Sequence, residues 1–69
     1  MIQEITIVTA AGVKTHTIGS KVNGKIIHNI KRAPLYFQGD PFDHYCGYDE
    51  TGDLLFSVYP LTPCEVVYI

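Results

Sequence analysis

Two cysteines and three histidines are the residues of this chain best equipped for chemistry, and two of them nearly touch in sequence: His44 and Cys46, in H-Y-C. Residues two apart on a strand share a face. A thiol and an imidazole would then project side by side, with Cys64, His16 or His28 able to complete a tetrahedral zinc site by folding. The same pair offers a nucleophile and a base, although cysteine catalysis needs a third, orienting group as well. The spacing matches no recognised zinc pair, and strand alternation aligns the two side chains without holding them in contact. The sequence therefore predicts Cys46 and Cys64 as small buried hydrophobes, with no catalytic residue, no metal and no cofactor. A bridge between them is geometrically open if their strands lie side by side. His28, between Ile26 and Ile30, is expected in the core or at a subunit interface.

Carboxylates crowd Asp49, Glu50 and Asp53, around Thr51 and Gly52. This is a turn composition, in which acids bond nearby backbone amides and stay in water. It lacks the ligand spacing and terminal bidentate glutamate of a calcium loop.

Charge is distributed unevenly. Up to Pro34 the chain holds Lys14, Lys21, Lys25, Lys31 and Arg32 against Glu4, a balance of +4; from Leu35 onward it holds six acids and no cation, a balance of −6. All eight aromatics also fall after Pro34. In PLYFQGDPFDHY, more large rings gather than a small core readily buries, with acids among them. Tyr36, Phe37, Asp40, Phe42, Asp43 and Tyr48 are thus the expected partner-binding residues, suited to an arginine- or lysine-bearing protein through stacking, cation–π contact and charge. The competing expectation is that these rings fold over the core as a lid. Nucleic acid is the less favoured partner, because cations and aromatics are segregated and the pI of about 5.8 lacks a basic footprint. Lys21, Lys25, Lys31 and Arg32 are the residues that alternative would use.

These side chains must be positioned by one domain, since 69 residues leave room for no more, and a chain of this size buries only about 60% of its unfolded surface. No apolar run is long enough for a bilayer-spanning helix, and the start lacks a basic region followed by a long apolar one. A soluble, unprocessed, cytoplasmic protein with reduced thiols is expected.

Along the chain, Ile2 to Thr9 alternates as a half-buried strand, and Gly12 opens a second strand through Ile18. Asn23-Gly24 suits a two-residue type I′ turn joining Lys21-Val22 to Lys25-Ile26. KIIHNIKR reads as a strand that Pro34 ends. Leu35 to Asp43 reads as a loop, Asp49 to Gly52 as a hairpin turn with glycine at the left-handed position, PLTP as a corner of one 3₁₀ turn, and Cys64 to Ile69 as the last strand. No repeat and no amphipathic helical stretch interrupts this pattern. The fold class is all-β: a five- to six-stranded SH3-like barrel or an antiparallel sandwich.

The closing GDLLFSVYPLTPCEVVYI is similar in order and spacing to the ending of SH3-type barrels, and IGSKVNGKIIHNI resembles the first barrel strand of SH3-like and Tudor-like domains. The resemblance spans residues 18 to 69 and implies architecture only. The chain has no tryptophan and no aromatic before Tyr36, so the proline-peptide groove of SH3 domains does not carry over.

In CEVVYI apolar side chains face both ways, so a bare edge there would template pairing with another chain. Pairing with Ile2 to Val8 is expected, with a further homodimer contact. The function these features suggest is a small protein-interaction module, accessory or inhibitory to a partner protein. Its size associates it with the stand-alone proteins of phages and other mobile elements.

Overall fold

The computed structural model describes residues 1–35, 39–59 and 61–69, with backbone alone at Asp40 and Pro41. The fold is all-β. Eight strands follow in order: β1 (Ile2–Thr9), β2 (Gly12–Thr17), β3 (Lys21–Val22), β4 (Lys25–Ile26), β5 (Asn29–Leu35), β6 (Asp40–Tyr48), β7 (Leu54–Val58) and β8 (Cys64–Tyr68). They form three antiparallel sheets, β2-β1-β8, β3-β4 and β5-β6-β7. Among the described residues these ladders do not close into a barrel, and no helix is long and apolar enough to cross a membrane.

Turn chemistry sets the hairpins. Asn23 and Gly24 both take positive φ, 51° and 81°, and Lys21 pairs with Ile26 and Val22 with Lys25, as a two-residue primed turn requires. At the β6–β7 turn Gly52 takes φ 90°. Asp49 Oδ1 accepts there from the Thr51 backbone N–H (2.9 Å), the Thr51 hydroxyl (2.7 Å) and the Asp53 N–H (2.9 Å).

Three bulges fix which side chains reach the core. On β1, Ile2 faces Tyr68 and Glu4 faces Val67, leaving Gln3 as an extra residue. The bulge reverses the alternation, so Ile2 joins Ile5 and Ile7 inside. On β7, Leu55 is extra between the Tyr48–Leu54 and Gly47–Phe56 pairs, and Leu55 and Phe56 both pack against the core. On β6, Pro34 pairs with Asp43 and Leu35 with Asp40, so Pro41 and Phe42 stand outside the ladder.

That third bulge corrects two expectations. β5 continues through Pro34 to Leu35, and the segment read as a loop supplies the first residues of β6. Proline lacks only an N–H, and β5 is an edge strand paired to β6 alone among the described residues; proline is tolerated on edges and at bulges. The PLTP corner closes with the Thr62 N–H donating to the Tyr59 carbonyl at 3.0 Å.

The core is Ile2, Ile5, Ile7, Ile27, Ile30 and Val58, with Tyr45, Leu55, Phe56, Cys64 and Val66 packed against it. The two three-stranded sheets meet through an aromatic stack. Phe56 of β7 lies over Gly47 of β6, where a β-carbon would run into its ring, and that ring stacks on His16 of β2 at 4.0 Å between centroids and 12° between planes.

β8 pairs with β1 as expected. Val8 donates to the Pro63 carbonyl at 3.0 Å and Ile69 to the Met1 carbonyl at 2.9 Å. Hydrogen-bonded pairs alternate along an antiparallel ladder, so Glu65 and Val67 turn their amides to β1 while Cys64, Val66 and Tyr68 turn theirs outward.

Candidate functional site

The thiol and imidazole of H-Y-C are both buried, Cys46 fully and His44 to 3% exposure. The Cys46 thiol points its weak donor at backbone carbonyls, those of His44 (3.7 Å) and Ala33 (3.8 Å). Burial raises its pKa, outweighing its hydrogen bonding with Tyr48 and the Ala33 backbone and the charge of Lys31, which act in the opposite sense. A thiol so placed stays protonated and shielded, the reverse of an activated nucleophile. Burial likewise raises the Tyr48 hydroxyl, followed by its bond with Cys46. Cys64 is half-buried on β8, and both cysteines are free thiols. Among the described residues no three His, Cys, Asp or Glu side chains converge as a metal site would need.

His28 is exposed on the single chain, which corrects the expectation that it sits in the core. The apolar positions of its segment fall at Ile27 and Ile30, and His28 lies between β4 and β5, where its own N–H donates to the Tyr48 carbonyl at 2.8 Å. The histidines that pack inside are His44 and His16, the latter 6% exposed.

The turn acids divide. Glu50 and Asp53 are in water, whereas Asp49 keeps 7% exposure. Its pKa is lowered first by the Thr51 hydroxyl, then by the Asp53 and Thr51 amides and the charge of Lys25, against the effect of burial. Lys25 approaches it at 3.7 Å with its own side chain 59% exposed, so the carboxylate holds the turn chiefly through hydrogen bonds.

Of the expected partner-binding residues, Tyr36 and Phe37 lie outside the described residues, as does the side chain of Asp40. Phe42 is 69% exposed at the β6 bulge and Asp43 beside it is exposed. Tyr48 is half-buried, with Lys31 Nζ 5.2 Å from its ring centroid. Two further exposed apolar side chains, Tyr59 (71%) and Leu61 (94%), belong to the turn after β7. The Tyr59 ring meets that of His44 at 5.2 Å, and Phe42 is only two residues from His44, about 7 Å along a strand. Phe42 and Tyr59 are thus both neighbours of His44, one in sequence and one in space, and Leu61 follows Tyr59 by two residues. Tyr59 and Leu61 had a signal in the sequence, large apolar residues inside a proline-bounded turn, where little can cover them.

The four cations of the alternative site do not line one stripe. Lys21 is on β3, Lys25 faces Asp49, and the neighbours Lys31 and Arg32 go to different rings, Tyr48 and Tyr45, the latter at 5.5 Å.

A cleft of about 310 Å³ opens between the sheets. Ile7, His16, Phe56 and Val58 line it, with exposed Lys14 and Tyr59 at its mouth. Comparison of the chain with protein-family models, with curated proteins and with solved structures finds no match in any of the three.

Proposed function

We propose that this protein is an interaction module whose exposed aromatic surface at Phe42, Tyr59 and Leu61 engages a basic segment of a partner protein. The observation that carries this reading is the coincidence of exposure and charge. Three large apolar side chains, 69%, 71% and 94% exposed, stand on the half of the chain that contains six acids and no cation. An apolar patch with an anionic surround suits arginine or lysine flanked by apolar residues. Asp43, exposed beside Phe42, belongs to the same surface in this reading. Occupying a partner's basic segment is the action of an accessory or inhibitory protein.

The scaffold in this reading is a half-open SH3-like roll. Its support is the backbone bonding between sheets, in which Gly19 donates to the Ile27 carbonyl (2.9 Å), Ile27 to Ser20 (2.8 Å) and His28 to Tyr48 (2.8 Å). These bonds carry the chain from the β3-β4 hairpin into the β5-β6-β7 sheet.

Selection from a random displayed-peptide library tests the function. Enriched peptides should carry Arg or Lys beside apolar residues, and Phe42→Ser should weaken them about tenfold or more, as for a central aromatic anchor, with an unchanged Tm. Enrichment without a cation preference, or binding indifferent to Phe42→Ser and Tyr59→Ser, would refute it. The nucleic-acid alternative predicts affinity for single-stranded DNA that falls steeply with salt.

A further inference from the structure

The inter-sheet cleft goes beyond that reading, because its charge is opposite. Its floor is apolar, from Ile7 and Val58, with the Phe56 ring beside His16. Lys14 stands exposed at the mouth, and among the described residues no carboxylate lies within 4.0 Å of it. Inside is a polar side chain more than nine-tenths buried. His16 is 6% exposed, it lines the cleft, and among the described residues no group hydrogen-bonds its ring nitrogens. Those nitrogens are not shut off from solvent, so they are free to bond a ligand that enters the cleft.

We propose that this cleft binds a small carboxylate carried on an aromatic or branched apolar stem. The stem lies on Ile7, Val58 and Phe56, and the carboxylate sits between Lys14 Nζ and a ring N–H of His16, both of which donate to it. A volume of about 310 Å³ is at the lower end for small-molecule pockets, which run from about 300 Å³ upward. The charge environment agrees. Burial, then the Lys14 charge, holds the His16 pKa below its usual value. The other elements at the cleft bring Ile7 and Thr9 from β1, and Phe56, Ser57 and Val58 from β7, none of them charged; Tyr59 adds a phenol. An incoming anion is thus the missing counter-charge, and its arrival should draw a proton onto His16.

Phenylacetate titrated into the full chain, followed by NMR, tests this. The expected result is a saturable shift of Ile7, His16, Phe56 and Val58 signals together, with a rise in the His16 pKa on saturation. Phenethylamine, with the same stem and opposite charge, should give no saturable shift. Lys14→Gln, a change at an exposed position whose fold the same spectra verify, should weaken phenylacetate about tenfold, the effect of losing one charge-assisted hydrogen bond. Acetyl-Gly-Phe with a free or an amidated end separates a free organic acid from the terminal carboxylate of a peptide as the source. Equal binding of phenethylamine, shifts that map elsewhere, or a Lys14→Gln protein that binds like the parent would overturn the proposal.

Discussion

Gly47→Ala should unfold this domain far more readily than its chemistry suggests, and the reason is one ring. The backbone of Gly47 has no positive φ, so alanine is conformationally acceptable there. On an open strand the change would stabilise by about 0.4–1 kcal/mol through the unfolded chain. The added β-carbon, however, would collide with Phe56 Cε1 and stand 2.5 Å from Cδ1 and 2.6 Å from Cζ. Relief requires the ring to shift by about 1.5 Å, since ordinary contacts begin near 3.5 Å and Cε1 is the nearest atom. The ring cannot shift alone, because His16 stacks on it at 4.0 Å. Overpacking costs about 1–3 kcal/mol, and loss of the ring pair adds about 0.5–1.5 kcal/mol. The net expectation is about 1–4 kcal/mol, against total stabilities of about 0.05–0.15 kcal/mol per residue. In a domain this small, each kcal/mol shifts Tm by about 4–8 °C. Urea and thermal denaturation followed by circular dichroism measure it, and Phe56→Ala supplies the control. In that background Gly47→Ala should be neutral or stabilising. A loss under about 0.5 kcal/mol in the parent, or an equal loss in both backgrounds, would refute the reasoning.

Burial lowers the His16 pKa, so the neutral ring favours the fold. Stability from this group should be complete above pH 6.5 and decline as pH falls from there through the folded value, and His16→Phe should flatten that part of a urea-midpoint profile. Asp49, lowered by the Thr51 hydroxyl and two amides, should contribute fully above pH 3.8 and lose its effect as pH falls through its folded value; Asp49→Ala should depress Tm more than Glu50→Ala or Asp53→Ala. In native protein an aromatic disulfide reagent should titrate Cys64 well before the fully buried Cys46, and equal rates would contradict the burial of Cys46. Amides of Cys64, Val66 and Tyr68 should exchange with deuterium faster than those of Glu65 and Val67, whereas equal protection would mean that another chain covers the edge.

Local chemistry was legible in the residues and cross-strand geometry was not. Asn23-Gly24 and Asp49 to Gly52 announce their turns because positive φ and Asx bonding are properties of a few adjacent residues. β1 and β8 were readable from alternation and β-branching. The bulges at Gln3, Leu55 and Pro41-Phe42 were invisible, since each is defined by a mismatch with a partner strand. Composition alone therefore gives a loop after Leu35 and an end at Pro34, where the structure has β5 running to Leu35 and β6 starting at Asp40. At the candidate site, composition pointed to Phe42 and Asp43 as partner-binding residues, and both are exposed, whereas Tyr59 and Leu61 read only as parts of a corner. His16 gave no sign of burial, for its cover is Phe56, forty residues away.

The stack of Gly47, Phe56 and His16 ties three strands into one steric account. A side chain at 47 is admissible only with a smaller group at 56, and a smaller group at 56 uncovers 16. Descendants of this sequence should therefore change these positions as a set, and a designer wishing to alter the cleft must start from the glycine that makes room for its wall.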